Sequence, residues 1–142
     1  MTPDELASHW QAFCRSAPGL RLHRRTWGTR CVTIGPVITV PPQWPTYSPA
    51  LQCVHLAHEM AHVRQYQRCG LGSAWLGVPL FLLLYLLAPL PLGLAWWRYR
   101  WEREAFAAEQ DARKALGLPL RQNVEALLHG RAYGWAWPKW RE

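Results

Sequence analysis

The stretch "HLAHEMAHVRQYQ", His55 to Gln67, decides how the rest of the chain is read, because it holds His58, Glu59 and His62 at the spacing His-Glu-x-x-His. Residues four apart on a helix share a face and lie about 6 Å apart along its axis, so two imidazoles at this spacing can reach one ion. Glu59, next to the first histidine, would reach a water beside that ion rather than the ion itself, which is where a general base is needed. The flanking residues Leu51, Val54, Leu56, Ala57, Met60, Ala61 and Val63 are apolar. A helix of that composition is mostly buried, and buried histidine and glutamate without partners cost several kcal/mol. A metal ion removes that cost. The competing account, a polar stripe on a surface helix that matches three fixed positions by chance, does not explain the apolar flanks.

Outward from the motif, Ser48-Pro49 supplies an N-cap and a first-turn proline, and Gly70 a stop, so a helix is predicted from about Pro49 to Cys69. Upstream, "LRLHRRTW" and "CVTIGPVITV" are rich in β-branched and aromatic residues and are predicted to form an antiparallel pair across Gly28-Thr29, with Gly35-Pro36 as a bend or further turn. A short helix capped by Thr2 or Asp4 opens the chain, with Leu6, Trp10 and Phe13 at helical spacing. Downstream, a long helix "LAWWRYRWEREAFAAEQDARKAL" ends at Gly117 and Pro119, and "RQNVEALLHG" forms a last short helix.

Between the two long helices, Leu71 to Trp97 contains no charged residue. A single membrane crossing there would leave His62 and Glu102 on opposite sides of the bilayer. Pro79 and the run "APLPLG" instead break the segment into an arm of about fifteen residues, roughly 22 Å of helix against the roughly 30 Å of a hydrocarbon core. A helical hairpin with its tip near Pro89-Pro91 is therefore expected, dipping into one leaflet, lying on a membrane surface, or serving as core or interface. Its aromatic residues, with Arg98, Arg100 and Arg103 beyond them, have the composition of an interfacial belt on a cytoplasmic face.

With 142 residues the chain suits one domain. Sixteen Lys and Arg against nine Asp and Glu give a formal charge of +7. The basic residues are scattered among apolar stretches without a recognition-helix or RNP pattern, so no nucleic-acid partner is expected. Cys14, Cys31, Cys53 and Cys69 contain no Cys-x-x-Cys pair, and the N-terminus lacks a signal-peptide pattern, so free thiols and a cytoplasmic location are expected.

Strands, then a His-Glu-x-x-His helix, then a later helix carrying Glu-x-x-Ala: over about Cys31 to Leu116 the chain resembles the gluzincin zinc metallopeptidases. It is most similar to their minimal single-domain members, with some likeness to membrane zincins of the CAAX-prenyl-protease type. The resemblance implies an α+β fold, a small zincin-like domain over residues 1–142 with the apolar hairpin inserted at about 71–97. It implies one Zn²⁺ per chain, held by His58, His62 and the glutamate of Glu-x-x-Ala. Two registers are open, Glu102-Arg103-Glu104-Ala105 and Glu104-Ala105-Phe106-Ala107; the family's use of the first glutamate in such sequences favours Glu102, with Glu104 the alternative. The acid that often follows in the family is replaced by Phe106 or Ala108, which leaves Glu109 or Asp111 to orient a ligand histidine. His55 lies about 10 Å of helical rise from His62 and is expected to pack rather than ligate.

The activity implied is zinc-dependent endopeptidase hydrolysis of a peptide or protein substrate, with Glu59 as general base. In the resembling families a strand before the histidine helix binds substrate by β-addition, which points to Val37, Ile38, Thr39 and Val40. His129 and Tyr133 are the candidate oxyanion or substrate contacts. The alternative is a non-catalytic zinc-containing, membrane-associated interaction module, which the missing acid favours and the intact Glu59 opposes.

Overall fold

The computed structural model describes residues 19–86 and 95–128, together with Thr2, Asp4, Glu5, Ser8, Gln11 and Ala12. The fold is mixed α+β: three short strands, β1 (Arg21–Arg24), β2 (Val32–Ile34) and β3 (Val37–Val40), a 3-10 turn at Trp44–Thr46, and the helices α1 (Pro49–Cys69), α2 (Ala74–Leu86), α3 (Ala95–Ala115) and α4 (Val124–Leu128). Near the N-terminus, Thr2 Oγ1 accepts from the Glu5 amide at 3.2 Å while Glu5 Oε2 accepts from the Thr2 nitrogen at 2.7 Å, a reciprocal cap. Leu6, Trp10 and Phe13 lie outside the described residues.

The sheet corrects the expected strand pairing. Its order is β1-β3-β2, so β1 and β2 are not neighbours. The tight turn is Gly35-Pro36, with Gly35 at φ 57°, and it folds β2 back antiparallel on β3. Residues 25–36, which include β2, act as the crossover that lets β1 lie parallel to β3 on its other side, with Arg21 opposite Val37 and Arg24 opposite Val40. A second correction follows. β3 is paired along both edges, so Val37, Ile38, Thr39 and Val40 have no free backbone edge for an added strand. The edge strands are β1 and β2, and β2 is the one that borders the cleft lined by His58 and His62.

Helix α1 forms as its boundaries predict: Ser48 Oγ accepts from the Leu51 amide at 3.3 Å, Pro49 opens the helix, and Gly70 follows its last residue. Its apolar residues bury two sides at once. Leu56, Met60, Val63 and Tyr66 pack with Ile38 and Val40 of the sheet, Phe81 of α2 and Trp101 of α3. Ala50, Cys53, Val54 and Ala57 form a second cluster with Ala112 and Leu116. Helix α1 is thus the central element, with sheet, α2 and α3 laid against it.

Between α1 and α2 the chain turns through Leu71 (φ 52°) and Gly72 (φ 100°), and the two axes meet at 96°. No single described helix is long and apolar enough to cross a membrane. The thirteen residues of α2 make about 20 Å of helix. The expected hairpin tip at Pro89-Pro91 lies outside the described residues, but both arms pack on α1 and the return brings Glu102 to the histidines.

The α1–α2 corner is closed by backbone contact. A Cβ on Gly77 would sit 1.8 Å from the Tyr66 carbonyl oxygen and 3.0 Å from the Gly70 nitrogen, leaving room only for hydrogen. Gly77→Ala should therefore destabilise the protein by about 2 kcal/mol or more, since the obstructing atoms are backbone rather than movable side chain. Chemical denaturation checks this; a loss under about 0.5 kcal/mol, the level of an ordinary surface change, would mean that the two helices do not meet there.

Candidate metal centre

His58 and His62 stand on adjacent turns of α1, and α3 crosses in front of them. Glu102 Oε2 lies 3.7 Å from His58 Nε2, and Glu102 Oε1 lies 3.8 Å from His62 Nε2. Ligand atoms 2.0–2.1 Å from a tetrahedral zinc lie roughly 3.3–3.4 Å from one another, so small side-chain rotations bring these three to bonding distance. His58, His62 and Glu102 form a group that could hold a metal ion.

The same helix excludes the alternative glutamate. Glu104 is two residues beyond Glu102, about 200° around the axis, and its carboxylate is ion-paired to Arg68 and accepts from Gln65 Nε2 at 3.2 Å. Glu102 is 4% exposed, whereas the Glu104 side chain is 36% exposed.

Both histidines are held from behind. Gln65 Nε2 donates to the Trp101 carbonyl and to Glu104, which assigns its Oε1 as acceptor of the His62 Nδ1 proton at 2.9 Å. His62 Nε2 is then the bare nitrogen on the Glu102 side. Behind His58, Glu109 Oε2 lies 3.5 Å from Nδ1, at ion-pair distance yet short of a hydrogen bond, so Nδ1 is buried without a hydrogen-bond partner. Glu109 is itself fixed by Arg113 Nε at 3.1 Å and Arg121 Nη1 at 3.4 Å. Burial alone would raise its pKa, but His58, Arg121 and Arg113 together hold it down at about 2. Asp111, the other candidate for this role, is exposed and paired with Lys114.

The charge balance of the site is its most informative property. Glu59, 7% exposed, accepts from Thr33 Oγ1 at 2.6 Å, and Glu102 accepts from Tyr85 Oη at 2.7 Å. Among the described residues no arginine or lysine pairs with either. Burial works against a charged His58, but Glu109, Glu59 and Glu102 outweigh it and raise the imidazole pKa above the ordinary value. Two buried carboxylates facing two imidazoles, with no described arginine or lysine to pair with them, make a donor set that a cation would balance. Nitrogen and carboxylate donors of this kind suit divalent transition metals, zinc and iron among them.

These groups line a cleft of about 500 Å³ whose walls include Thr33 and Ile34 of β2, Phe81 and Tyr85 of α2, and Arg98 of α3. Arg98 lies over the Tyr85 ring, 4.7 Å from its centre. The roles of Thr33, Gln65 and Tyr85 are not carried by any local motif; Tyr85 reads in sequence as part of an aromatic belt. His55 packs against the rings of Trp44 and Tyr47 and is not in the converging group. His129 and Tyr133 lie outside the described residues. Among the described cysteines, Cys31, Cys53 and Cys69 form no disulfide. Cys31 borders the cleft, but burial and Glu59, opposed by Arg25, raise its pKa to about 12, so it stays protonated and is no nucleophile at neutral pH.

No family model matches the chain, and neither a curated protein nor a solved structure matches it.

Zinc titration against a chromogenic chelator separates these roles. His58→Ala, His62→Ala and Glu102→Gln should lose more affinity than the roughly 10- to 100-fold that removing an outer partner costs, Glu109→Gln should fall within that range, and Glu104→Gln should bind as wild type does. Equal loss at Glu104 would reverse the assignment of the third ligand.

Proposed function

We propose that the chain is a zinc-dependent endopeptidase built on a small zincin-like domain, hydrolysing peptide bonds with Glu59 as general base. The observation that carries the reading is Glu59 itself. It is buried beside the His58–His62–Glu102 group, held by Thr33 and unpaired with any described cation. A site that only stored an ion would leave such a carboxylate without a use.

His58, His62 and Glu102 would hold a zinc ion, which would supply a Lewis acid for the scissile carbonyl and for a bound water, whose pKa would fall toward about 7. Glu59 takes a proton from the attacking water as its oxygen bonds to the carbonyl carbon, then delivers that proton to the amine nitrogen as the C–N bond breaks. No covalent bond to the protein forms. Thr33 donates to Glu59 Oε2 and so fixes the carboxylate's orientation, while Tyr85 does the same for Glu102. The substrate is an extended peptide laid along β2, the edge strand that borders the cleft, in place of the central β3. Cys31, Cys53 and Cys69, without a disulfide among the described residues, fit a reducing compartment such as the cytoplasm.

The second reading is a non-catalytic zinc-containing module. Its main support in sequence, the missing acid after Glu-x-x-Ala, loses weight because Glu109 stands seven residues after Glu102, nearly two full turns on, and approaches His58 from that position.

Glu59→Gln decides between them. It should bind zinc as wild type does and hydrolyse a mixed peptide library about 10²- to 10⁴-fold more slowly. Zinc in both proteins with cleavage by neither would establish the module. Thr33→Val, which removes only the hydroxyl that orients Glu59, should slow hydrolysis by a smaller factor without changing zinc affinity.

A further inference from the structure

Helix α2 has two faces with different surroundings. Phe81 and Tyr85 turn toward the cleft and the core, and Ala74 and Gly77 are buried. The opposite face carries Trp75, Leu76, Leu80 and Leu83, exposed at 57%, 74%, 44% and 55%, with Leu71 in the preceding turn at 99%. These positions follow the i, i+1, i+5, i+8 rhythm of one helical side, so the exposure is a continuous stripe rather than scattered apolar residues. Leu71 adds to it from a left-handed backbone conformation that leucine rarely adopts.

A groove of about 790 Å³ runs beside this stripe and shares Leu80 with it. Its walls join Leu84 and Trp97 to Arg100, Arg103 and Arg68, the last ion-paired to Glu104. Apolar stripe and basic groove are therefore continuous through Leu80, and the chain as a whole carries a formal charge of +7.

We propose that the outer face of α2, together with this arginine-lined groove, docks the protein onto an anionic lipid bilayer. The stripe would enter the boundary between headgroups and acyl chains, and the groove would receive lipid phosphates. The described part of α2 is about 20 Å long, and its apolar residues are exposed on one side only, which suits a helix lying in the interface. The charge argues for lipid over a second copy of the chain, because a second copy would bring the same basic groove and the same net charge to the contact. It also sets the lipid class, since each arginine near an anionic surface is worth about a fivefold factor in partitioning.

Vesicle flotation tests the proposal, with vesicles of phosphatidylcholine alone and of phosphatidylcholine mixed with phosphatidylglycerol, at low and high salt. Wild type should float with the mixed vesicles, and high salt should weaken that binding. The combined variant Leu76→Glu, Leu80→Glu, Leu83→Glu should lose at least tenfold in partitioning while its circular dichroism and melting temperature stay unchanged. Should it fail to fold, Leu76→Glu alone, at the position most exposed on the helix, makes the same test. Arg100→Gln with Arg103→Gln should keep weak binding and lose most of the preference for phosphatidylglycerol. Wild type that floats with neither vesicle, or with both equally, would overturn the proposal, as would charged variants that float like wild type. Sedimentation showing a dimer that the leucine variants dissolve, without vesicle binding, would assign the face to a second copy instead.

Discussion

Everything in the site depends on two carboxylates, Glu59 and Glu102, buried beside two imidazoles and, among the described residues, receiving hydrogen bonds from the hydroxyls of Thr33 and Tyr85. Burying a carboxylate is expensive unless charge or strong donors compensate it. The protein spends its available arginines one layer further out, where Arg113 and Arg121 neutralise Glu109. The inner layer, His58, His62 and Glu102, is left as a group that could hold a metal ion.

Much of this was legible along the chain and some of it was not. Helix α1 could be read because its signals are local: the Ser48-Pro49 start, the Gly70 stop and an apolar run interrupted by the histidines. Strand existence was equally local, but strand order was not. Alternation identifies β1, β2 and β3 without saying which lies in the middle, and Gly28 and Gly35 both look like hairpin turns until pairing shows that only Gly35 joins neighbours. That ambiguity is why Val37–Val40 reads as an available edge in the sequence although β3 lies in the middle of the sheet.

The third ligand shows the same limit at the scale of one helix. Glu102 and Glu104 are equivalent by spacing from the alanines. They differ only in which neighbour each side of α3 meets, the histidines or Arg68. Thr33 and Tyr85 are harder still, because they act across 26 and 17 residues of sequence respectively. Polar residues that hold a site from a distance carry no periodic signature; only packing assembles them.

The apolar segment between His62 and Glu102 has a thermodynamic consequence. An ion bound by both sides of it would cross-link residues 62 and 102 and close the intervening stretch into a loop. In the unfolded chain such a closure costs entropy that grows slowly with loop length; in the folded protein α2 has already brought the ends together. Metal affinity and the docking of α2 against α1 would then be one linked equilibrium, so loosening the Gly77 corner would weaken the ion's hold from the far end of the helix, and chelation would loosen the corner.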